Sequence, residues 1–243
     1  MSLPVLRLPK RVHTRMPKAL PLMEQYPLYA LSFDGVASYV AVANSPSLNP
    51  SSAVTVEVWF KTSVVHDGAI VWKPYDAYNS TYGFAYFGKS YGAIIARVVD
   101  SGGTAHGTSF AWSADGRWHH LALTYDGSTQ RLYLDGVLKA SASWSGSIAS
   151  STYAVRVGDR ETAHMYFNGL IALPRVYGRA LSLAEIHRNI RNPLNPVRDG
   201  LVLFLPMVEG SGTSVRDFSG YGNNGTIYGA VWRDLAKYEV QPP

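Results

Sequence analysis

The sequence predicts an all-β fold, a two-sheet antiparallel jelly-roll sandwich with one short helix and an extended N-terminal arm. Three observations carry this. Short runs rich in Val, Ile, Tyr, Phe and Trp recur at roughly ten- to fifteen-residue spacing. Six Asp-Gly and two Asn-Gly steps punctuate them, supplying residues that tolerate positive φ in tight turns. Only one stretch has helical periodicity. The chain of 243 residues is 47% hydrophobic and 16% charged, so it can bury a large core and is not a disordered polymer. It has no cysteine, which excludes disulfides and thiolate metal sites.

Residues 1–27 form the arm. Arg7, Lys10, Arg11, Arg15 and Lys18 stand there against Glu24 alone, so most of the net charge of +5 belongs to this segment. Five prolines favour extended chain over helix or central strand. The uncharged apolar runs MSLPVL and ALPLM are too short for the core of a secretory signal, and no run approaches the ~18–20 apolar residues of a membrane span. Five basic residues without interleaved aromatics are a weak footprint for nucleic acid. A docking arm, packed either on its own domain or on neighbouring subunits of an assembly, is the reading they support.

Residues 28–243 form the domain. LYALSF (28–33), SYVAV (38–42), VTVEVWF (54–60), AIVW (69–72), YGFAYF (82–87), AIIARVV (93–99), TSFAW (108–112), HLALTY (120–125), RLYLD (131–135) and AVRVG (154–158) read as strands. In the third of these, period two puts Val54, Val56, Val58 and Phe60 on one face. In RALSLAEIHRNIRNP, Ser182 and Glu185 have capping-box spacing, Leu183, Ile186 and Ile190 form an apolar stripe, and Pro193 ends the helix. The stretch 199–232 reads as closing strands around a Gly/Asn-rich loop that join the main sheets.

Together LSFDGVASYVAV (31–42), VTVEVWF (54–60), RWHHLALTYDGSTQRLYLDGVL (117–138), FNGLIALPRVYGRALSLAEI (167–186) and DFSGYGNNGTIYGAVW (217–232) resemble the laminin-G-like group of the concanavalin A-like lectin/glucanase superfamily. The resemblance implies two curved sheets packed face to face and used to bind glycans or proteins. Two departures stand out. The D-x-SG-x-GNxGT stretch looks like one that usually precedes the SFDG strand, yet here it ends the domain. Where relatives carry acidic residues after the G-x-I step, this chain has Ala172, Leu173 and Pro174, so no role of those carboxylates carries over.

The paired histidines of WHHLALTYDGSTQRLYLDG (118–136) fall on opposite faces of a strand, so they cannot chelate one ion together, and Asp126 and Asp135 read as turn formers. Glycoside hydrolysis needs two carboxylates ~5–5.5 Å or ~6.5–9.5 Å apart. Glu57 has Thr55 and Trp59 as same-face neighbours, Asp159 and Glu161 follow a strand instead of lying on it, and neither G-x-S-x-G nor H-E-x-x-H occurs. No enzyme is expected. The resemblance also implies Ca2+ at the sandwich rim as an option, with Asp76, Asp159 and Asp217 as carboxylate ligands and Asn79, Asn223 and Asn224 as further oxygens. For recognition, the segment 72–92 interleaves Trp72, Tyr75, Tyr78, Tyr82 and Tyr91 with Asp76 and Asn79, the mixture of ring faces and fixed polar groups that sugars require. The expected function is a non-catalytic recognition module for a glycan or protein, a surface subunit of a larger assembly such as a virion, anchored by its arm. A purely structural assembly protein and a glycoside hydrolase are the alternatives.

Overall fold

The structure, a computed structural model, describes residues 29–76, 79–161 and 164–235. The arm residues Arg7, Lys10, Arg11, Arg15 and Lys18 and the ring of Tyr78 lie outside them. Among the described residues no helix is long and apolar enough to cross a membrane.

Strands are numbered β1 to β16 along the chain. One sheet runs in the order β10 (Val137–Ser143), β9 (Thr129–Leu134), β8 (Trp118–Tyr125), β3 (Val54–Lys61), β12 (Asn168–Tyr177), β1 (Tyr29–Asp34) and β16 (Val231–Asp234), with β13 (Leu201–Phe204) paired to the far end of β12. The second runs β14 (Ser214–Val215), β15 (Gly225–Tyr228), β2 (Tyr39–Val42), β11 (Val155–Val157), β4 (Asp67–Pro74), β5 (Ser80–Phe87), β6 (Ala93–Val99) and β7 (Ala105–Ala111). The two antiparallel sheets pack face to face as a jelly-roll sandwich. The stretch 199–232 does join both of them, β15 pairing with β2 and β16 with β1.

Alternation decides what fills the core. Val54, Val56, Val58 and Phe60 turn inward beside Leu121 and Leu123 of β8 and meet Ile70, Tyr82, Phe84 and Tyr86 of the second sheet, all without exposed surface. Two strands go beyond the runs read from the sequence. Strand β10 is an edge strand whose side chains are mostly exposed, so it has no apolar alternation to announce it. Strand β12 is central but contains Pro174, which has no N–H for a ladder. The register shifts between Ala172 and Arg175, Leu173 takes φ +55°, and the Pro174 carbonyl accepts from Leu205 N (3.1 Å).

The opposite face of β3 is buried too, and the helix is the reason. Helix α1 (Leu183–Arg191) starts on the expected capping box, with Ser182 N donating to Glu185 Oε2 (2.8 Å) and Arg179 paired to Glu185 Oε1 (2.6 Å). It lays Ile186 on Trp59, Ala122, Tyr133, Tyr177 and Phe204, with Ile190 packed against that group. Leu183 does not join them. It is the first helical residue and is 45% exposed, while Asn189 takes a buried position.

Asn189 is buried because polar groups face it. Glu57, on the outward side of β3, accepts from Asn189 Nδ2 (2.8 Å) and lies 3.5 Å from Arg175 NH1 and 3.7 Å from His120 Nε2. The same amide nitrogen donates to Tyr177 OH (3.0 Å), Asn189 Oδ1 accepts Val197 N (2.8 Å), and Arg175 donates to the Pro193 carbonyl. Burial pushes the Glu57 carboxyl up to about 7 against the pull of Arg175, and pushes His120 down to about 3, so His120 is a neutral ring. His119 points the other way, held between Asp135 Oδ2 (2.7 Å) and Asp115 Oδ2 (3.1 Å). Asp126 and Asp135 do form turns, Asp126 Oδ1 accepting Ser128 N (3.0 Å) and Thr129 N (2.8 Å), and Asp135 taking φ +52°.

Asp34 closes the β1–β2 turn. Its Oδ1 accepts from Val36 N (2.8 Å), Ala37 N (3.0 Å), Ser38 N (3.2 Å) and the Ser38 hydroxyl (2.8 Å). Burial works to raise this carboxyl, but the four donors outweigh it and bring it down to about 2; Arg179, with Ser182, holds Glu185 down to about 2 as well.

Two outcomes follow for stability. Asn189→Ala leaves Glu57, Tyr177 and the Val197 N–H each short of a buried partner, and urea unfolding will show a loss of about 2–4 kcal/mol. Both lowered carboxyls have folded values below their unfolded ones, so their contribution is complete above about pH 4.5 and is lost as pH falls toward 2. The melting temperature will fall across that window, and Asp34→Asn will flatten the fall.

Candidate functional site

One rim of the sandwich carries a cleft of about 390 Å³ lined by Asn44, Asn49, Tyr75 and the run Ser150, Ser151, Thr152 and Tyr153. Each wall has a local cause. After β2 the chain makes a single 3-10 turn over Pro46–Leu48, which the fixed φ of a first-position proline favours. Leu48 is buried, its carbonyl accepts the Tyr82 hydroxyl (2.9 Å), and Asn49 N closes the turn on the Pro46 carbonyl (3.1 Å). The Asn49 side chain then ties two walls together. Its Nδ2 donates to Asn44 Oδ1 (2.9 Å) and the Ser45 carbonyl (3.1 Å), and its Oδ1 accepts Ser151 N (3.0 Å).

The 150–153 wall is fixed from the other side. Ser151 Oγ donates to the Pro74 carbonyl (2.5 Å) at the end of β4 and accepts Tyr153 N (3.1 Å), which leaves the Tyr153 ring 40% exposed. Tyr75 begins the β4–β5 turn, where its N–H donates to the Asn79 carbonyl (2.9 Å). A side chain at Gly103, in the β6–β7 turn at φ +87°, would stand 3.2 Å from the Tyr75 hydroxyl, so glycine leaves room for that ring. Beneath the cleft lies Lys73, without exposed surface, its Nζ donating to Asn44 Oδ1 (2.8 Å) and the Tyr153 carbonyl (2.8 Å). Burial lowers its pKa to about 8.

The closing hairpin braces this rim. Asp217 accepts from Phe204 N (2.9 Å), Ser219 N (2.9 Å), Ser219 Oγ (2.6 Å) and Asn223 N (2.8 Å), which folds the 217–224 loop back on β13. Asn223 reaches from there to the cleft turn, accepting the Ser45 hydroxyl (2.7 Å) and donating to Ser47 Oγ (2.9 Å) and the Val202 carbonyl (2.8 Å). The D-x-SG-x-GNxGT stretch at the end of the domain thus has a structural task beside the site.

Among the described residues of the aromatic segment read from the sequence, only Tyr75 lines the cleft. Trp72 and Tyr82 have no exposed surface, because each lies on a strand whose faces are both covered: Trp72 packs under Arg160 and Met165, and Tyr82 lies in the core between the sheets. Neither ring can stack on a ligand there. Tyr91 is 70% exposed but sits past the other end of β5, about 25 Å away at ~3.3 Å per residue. Asp76 and Asn79 bind each other, Asn79 N and Nδ2 donating to Asp76 Oδ1 (2.7 Å) and Oδ2 (3.0 Å), and so shape the turn that carries Tyr75.

The aspartates offered for Ca2+ do not gather. Asp76 closes its turn, Asp217 holds the 217–224 loop, and Asp159 is buried after β11. Among the described residues no three His, Asp or Glu side chains group together to hold a metal ion.

The cleft residues missed in the sequence are Asn44, Asn49 and 150–153. Their signal was compositional: NSPSLNPSS (44–52) and SASWSGSIASSTY (141–153) are rich in small polar residues and lack apolar periodicity. Nothing local says that they meet.

Solved structures with the same architecture come from distant proteins. A Bacteroides ovatus protein named for carbohydrate binding superposes with TM-score 0.68 at 18% identity, covering 86% of this chain and 60% of its own. A heptameric SAP-like pentraxin from Limulus polyphemus gives 0.52 at 14%, covering 70% and 83%, and domains LG4-5 of the mouse laminin alpha1 chain give 0.51 at 17%, covering 63% and 44%. The chain thus spans less than two thirds of the Bacteroides and laminin chains, and likenesses at such identity establish the fold. No curated protein matches the sequence. The family model that describes concanavalin A-like lectins and glucanases of the laminin-G type matches residues 34–187, more than half of the chain. With the sandwich, its helix and its closing strands in place, the chain belongs to the laminin-G-like family of the concanavalin A-like lectin/glucanase superfamily.

Proposed function

We propose that this chain is a non-catalytic recognition module that binds a glycan in the rim cleft. The observation that carries the reading is the chemistry of the lining: an amide and hydroxyls from Asn44, Ser150 and Thr152, held in place by the internal bonds of Asn49 and Ser151, rings from Tyr75 and Tyr153, and no carboxylate. Sugar hydroxyls both donate and accept, which matches Asn, Ser and Thr, and the apolar face of a pyranose stacks on a phenol ring. A volume of about 390 Å³ lies within the range of small-molecule sites. The walls are tied by side-chain hydrogen bonds, so little ordering entropy remains to oppose binding.

A hydrolytic role has less support. Glu57 is sealed beneath α1, Asp159 is buried, and Glu161 is paired to Arg156 at 2.5 Å. The Bacteroides relative named for carbohydrate binding is consistent with recognition. A place as a surface subunit of a larger assembly, carried by residues 1–27, belongs to the same reading and rests on the sequence of that arm.

A glycan array followed by calorimetric titration of the best oligosaccharide tests the site. Tyr75→Ala and Tyr153→Ala will each weaken binding about fivefold to tenfold, the loss of one ring contact of ~1–1.4 kcal/mol. Tyr153→Ala will leave the melting temperature within about 2 °C, since the ring is half exposed. Undiminished affinity in the double variant, or no binding to any oligosaccharide, rejects the cleft. Release of reducing ends from the bound glycan rejects the non-catalytic part.

A further inference from the structure

The end of the sandwich away from the cleft is organised by a ring of aromatic contacts that includes two histidines. His66 immediately precedes β4 and the cleft residue Tyr75 immediately follows it, so the two ends lie about 25 Å apart at ~3.3 Å per residue. From His66 the contacts pass to Phe167 (ring centroids 5.1 Å), Phe60 (6.4 Å), His119 (6.0 Å), Trp112 (5.7 Å), Tyr86 (4.9 Å) and back to His66 (5.4 Å). Phe60, Tyr86 and Phe167 have no exposed surface, so this cluster is part of the core. What sets it apart is that the partners of its two histidines demand opposite protonation states.

His66 is held as a neutral ring. The Asn168 N–H can only donate, and it donates to His66 Nε2 (2.9 Å); the Val64 carbonyl can only accept, and it takes the Nδ1 proton (2.8 Å). A second proton would sit at Nε2 against the Asn168 N–H and break that bond. Burial, with Lys89 on the β5–β6 turn, holds the pKa of His66 below its usual value against the pull of Asp67. His119 is held as an imidazolium. Its Nδ1 faces Asp135 Oδ2 (2.7 Å) and its Nε2 faces Asp115 Oδ2 (3.1 Å), both acceptors, so both nitrogens carry protons. A neutral ring has one N–H and would turn a lone pair toward Asp115. The Asp135 hydrogen bond raises the pKa of His119 above its usual value against burial, and Asp115 adds to it. Arg117 Nε, 4.0 Å from Asp115 Oδ2, also faces this turn.

We infer that this end of the sandwich is a two-sided pH switch, locked only while His119 carries two ring protons and His66 carries one. Acid and alkali release different segments. Protonation of His66 breaks its bond to Asn168 N and loosens the 165–168 segment, which is otherwise tied by Ala69 N to the Met165 carbonyl (2.9 Å) and by Phe167 N to the Gly158 carbonyl (2.9 Å). Deprotonation of His119 keeps the shorter Asp135 bond and frees Asp115. That loosens the 112–117 turn, where Trp112 N donates to the Gly92 carbonyl (3.0 Å) and Gly116 N to the Thr62 carbonyl (3.0 Å). His119, raised in the folded state, stabilises fully below the ordinary histidine value of about 6.5 and ceases to as pH rises through its folded value. His66, lowered in the folded state, stabilises fully above about 6.5 and ceases to as pH falls through its folded value. The locked range lies between the two folded values.

Backbone amide exchange of the full chain from about pH 5 to about pH 9, read as protection factors, tests this. Protection at Asn168 N and Phe167 N will fall at least about tenfold toward acid, the loss of one buried hydrogen bond. Protection at Trp112 N and Gly116 N will fall at least about tenfold toward alkali, the loss of one charge-assisted bond. Asp115→Asn lets a neutral His119 accept from the side-chain amide, so it will abolish the alkaline fall and leave the acid one. His66→Gln puts an amide oxygen where Nε2 stands, an acceptor at every pH, so it will abolish the acid fall alone. A fall that survives in its own variant overturns the inference, as does constant protection in the unsubstituted chain. Should either variant fail to fold, ring-nitrogen NMR of the unsubstituted chain decides. At about pH 6.5 both nitrogens of His119 and only Nδ1 of His66 will carry protons, and any other pattern overturns the inference. Asp34 and Glu185 act only below about pH 4.5, and Glu57 lies on the opposite face of β3 under α1, so none of them moves these four amides.

Discussion

Strand β3 is the member on which the rest of the fold depends, because both of its faces are buried. Its inward valines and Phe60 pack against the second sheet, as in any sandwich. Its outward residues, Thr55, Glu57 and Trp59, are fully or almost fully buried too, so the domain needs a second layer over that sheet. Helix α1 and the segment after it supply this layer. The ionic group at its centre, Glu57 with Arg175, is matched by Asn189 from the helix and by a neutral His120. Removing one partner from such a group strands another in low dielectric, which is why it fixes the helix more specifically than Ile186 alone could.

The same reasoning links the closing hairpin to the candidate site. An open rim in a sandwich is built from turns that belong to different hairpins, and each turn is free to drift unless something crosses between them. Here the crossing bonds are side-chain amides. Asn49 joins the β2–β3 connection to the 150–153 run, and Asn223 joins it to the closing hairpin. The late position of the D-x-SG-x-GNxGT stretch therefore fits a role in completing the second sheet at β2 and holding the cleft turn at once.

Much of the fold could be read from the chain because strands and tight turns are local. The alternation in VTVEVWF, the Asp-Gly turns and the Ser182–Glu185 box each act over a few residues, and each is found where the pattern places it. The reading failed where the local pattern was overruled. Pro174 sits in a central strand because a bulge absorbs it, β10 lacks a buried face, and Leu183 turns outward at the start of its helix. Among the site residues, Tyr75 was legible as an aromatic in a polar turn. Trp72 and Tyr82 look the same in one dimension, and their burial depends on what packs across each sheet.

The sequence by itself determined the fold class, the single capped helix, the opposed histidines and the lack of a paired-carboxylate motif, since all of these follow from spacing along one strand or turn. Tertiary structure alone decided the candidate cleft. Asn44, Asn49, Tyr75 and the 150–153 run come from three separate connections, and strand pairing brings them to one rim. It also decided that Lys73, an ordinary lysine in the written sequence, is buried behind that rim without a carboxylate. Burial and the absence of a counterion are properties of the space around a residue, and that space is set by strands far away in the chain.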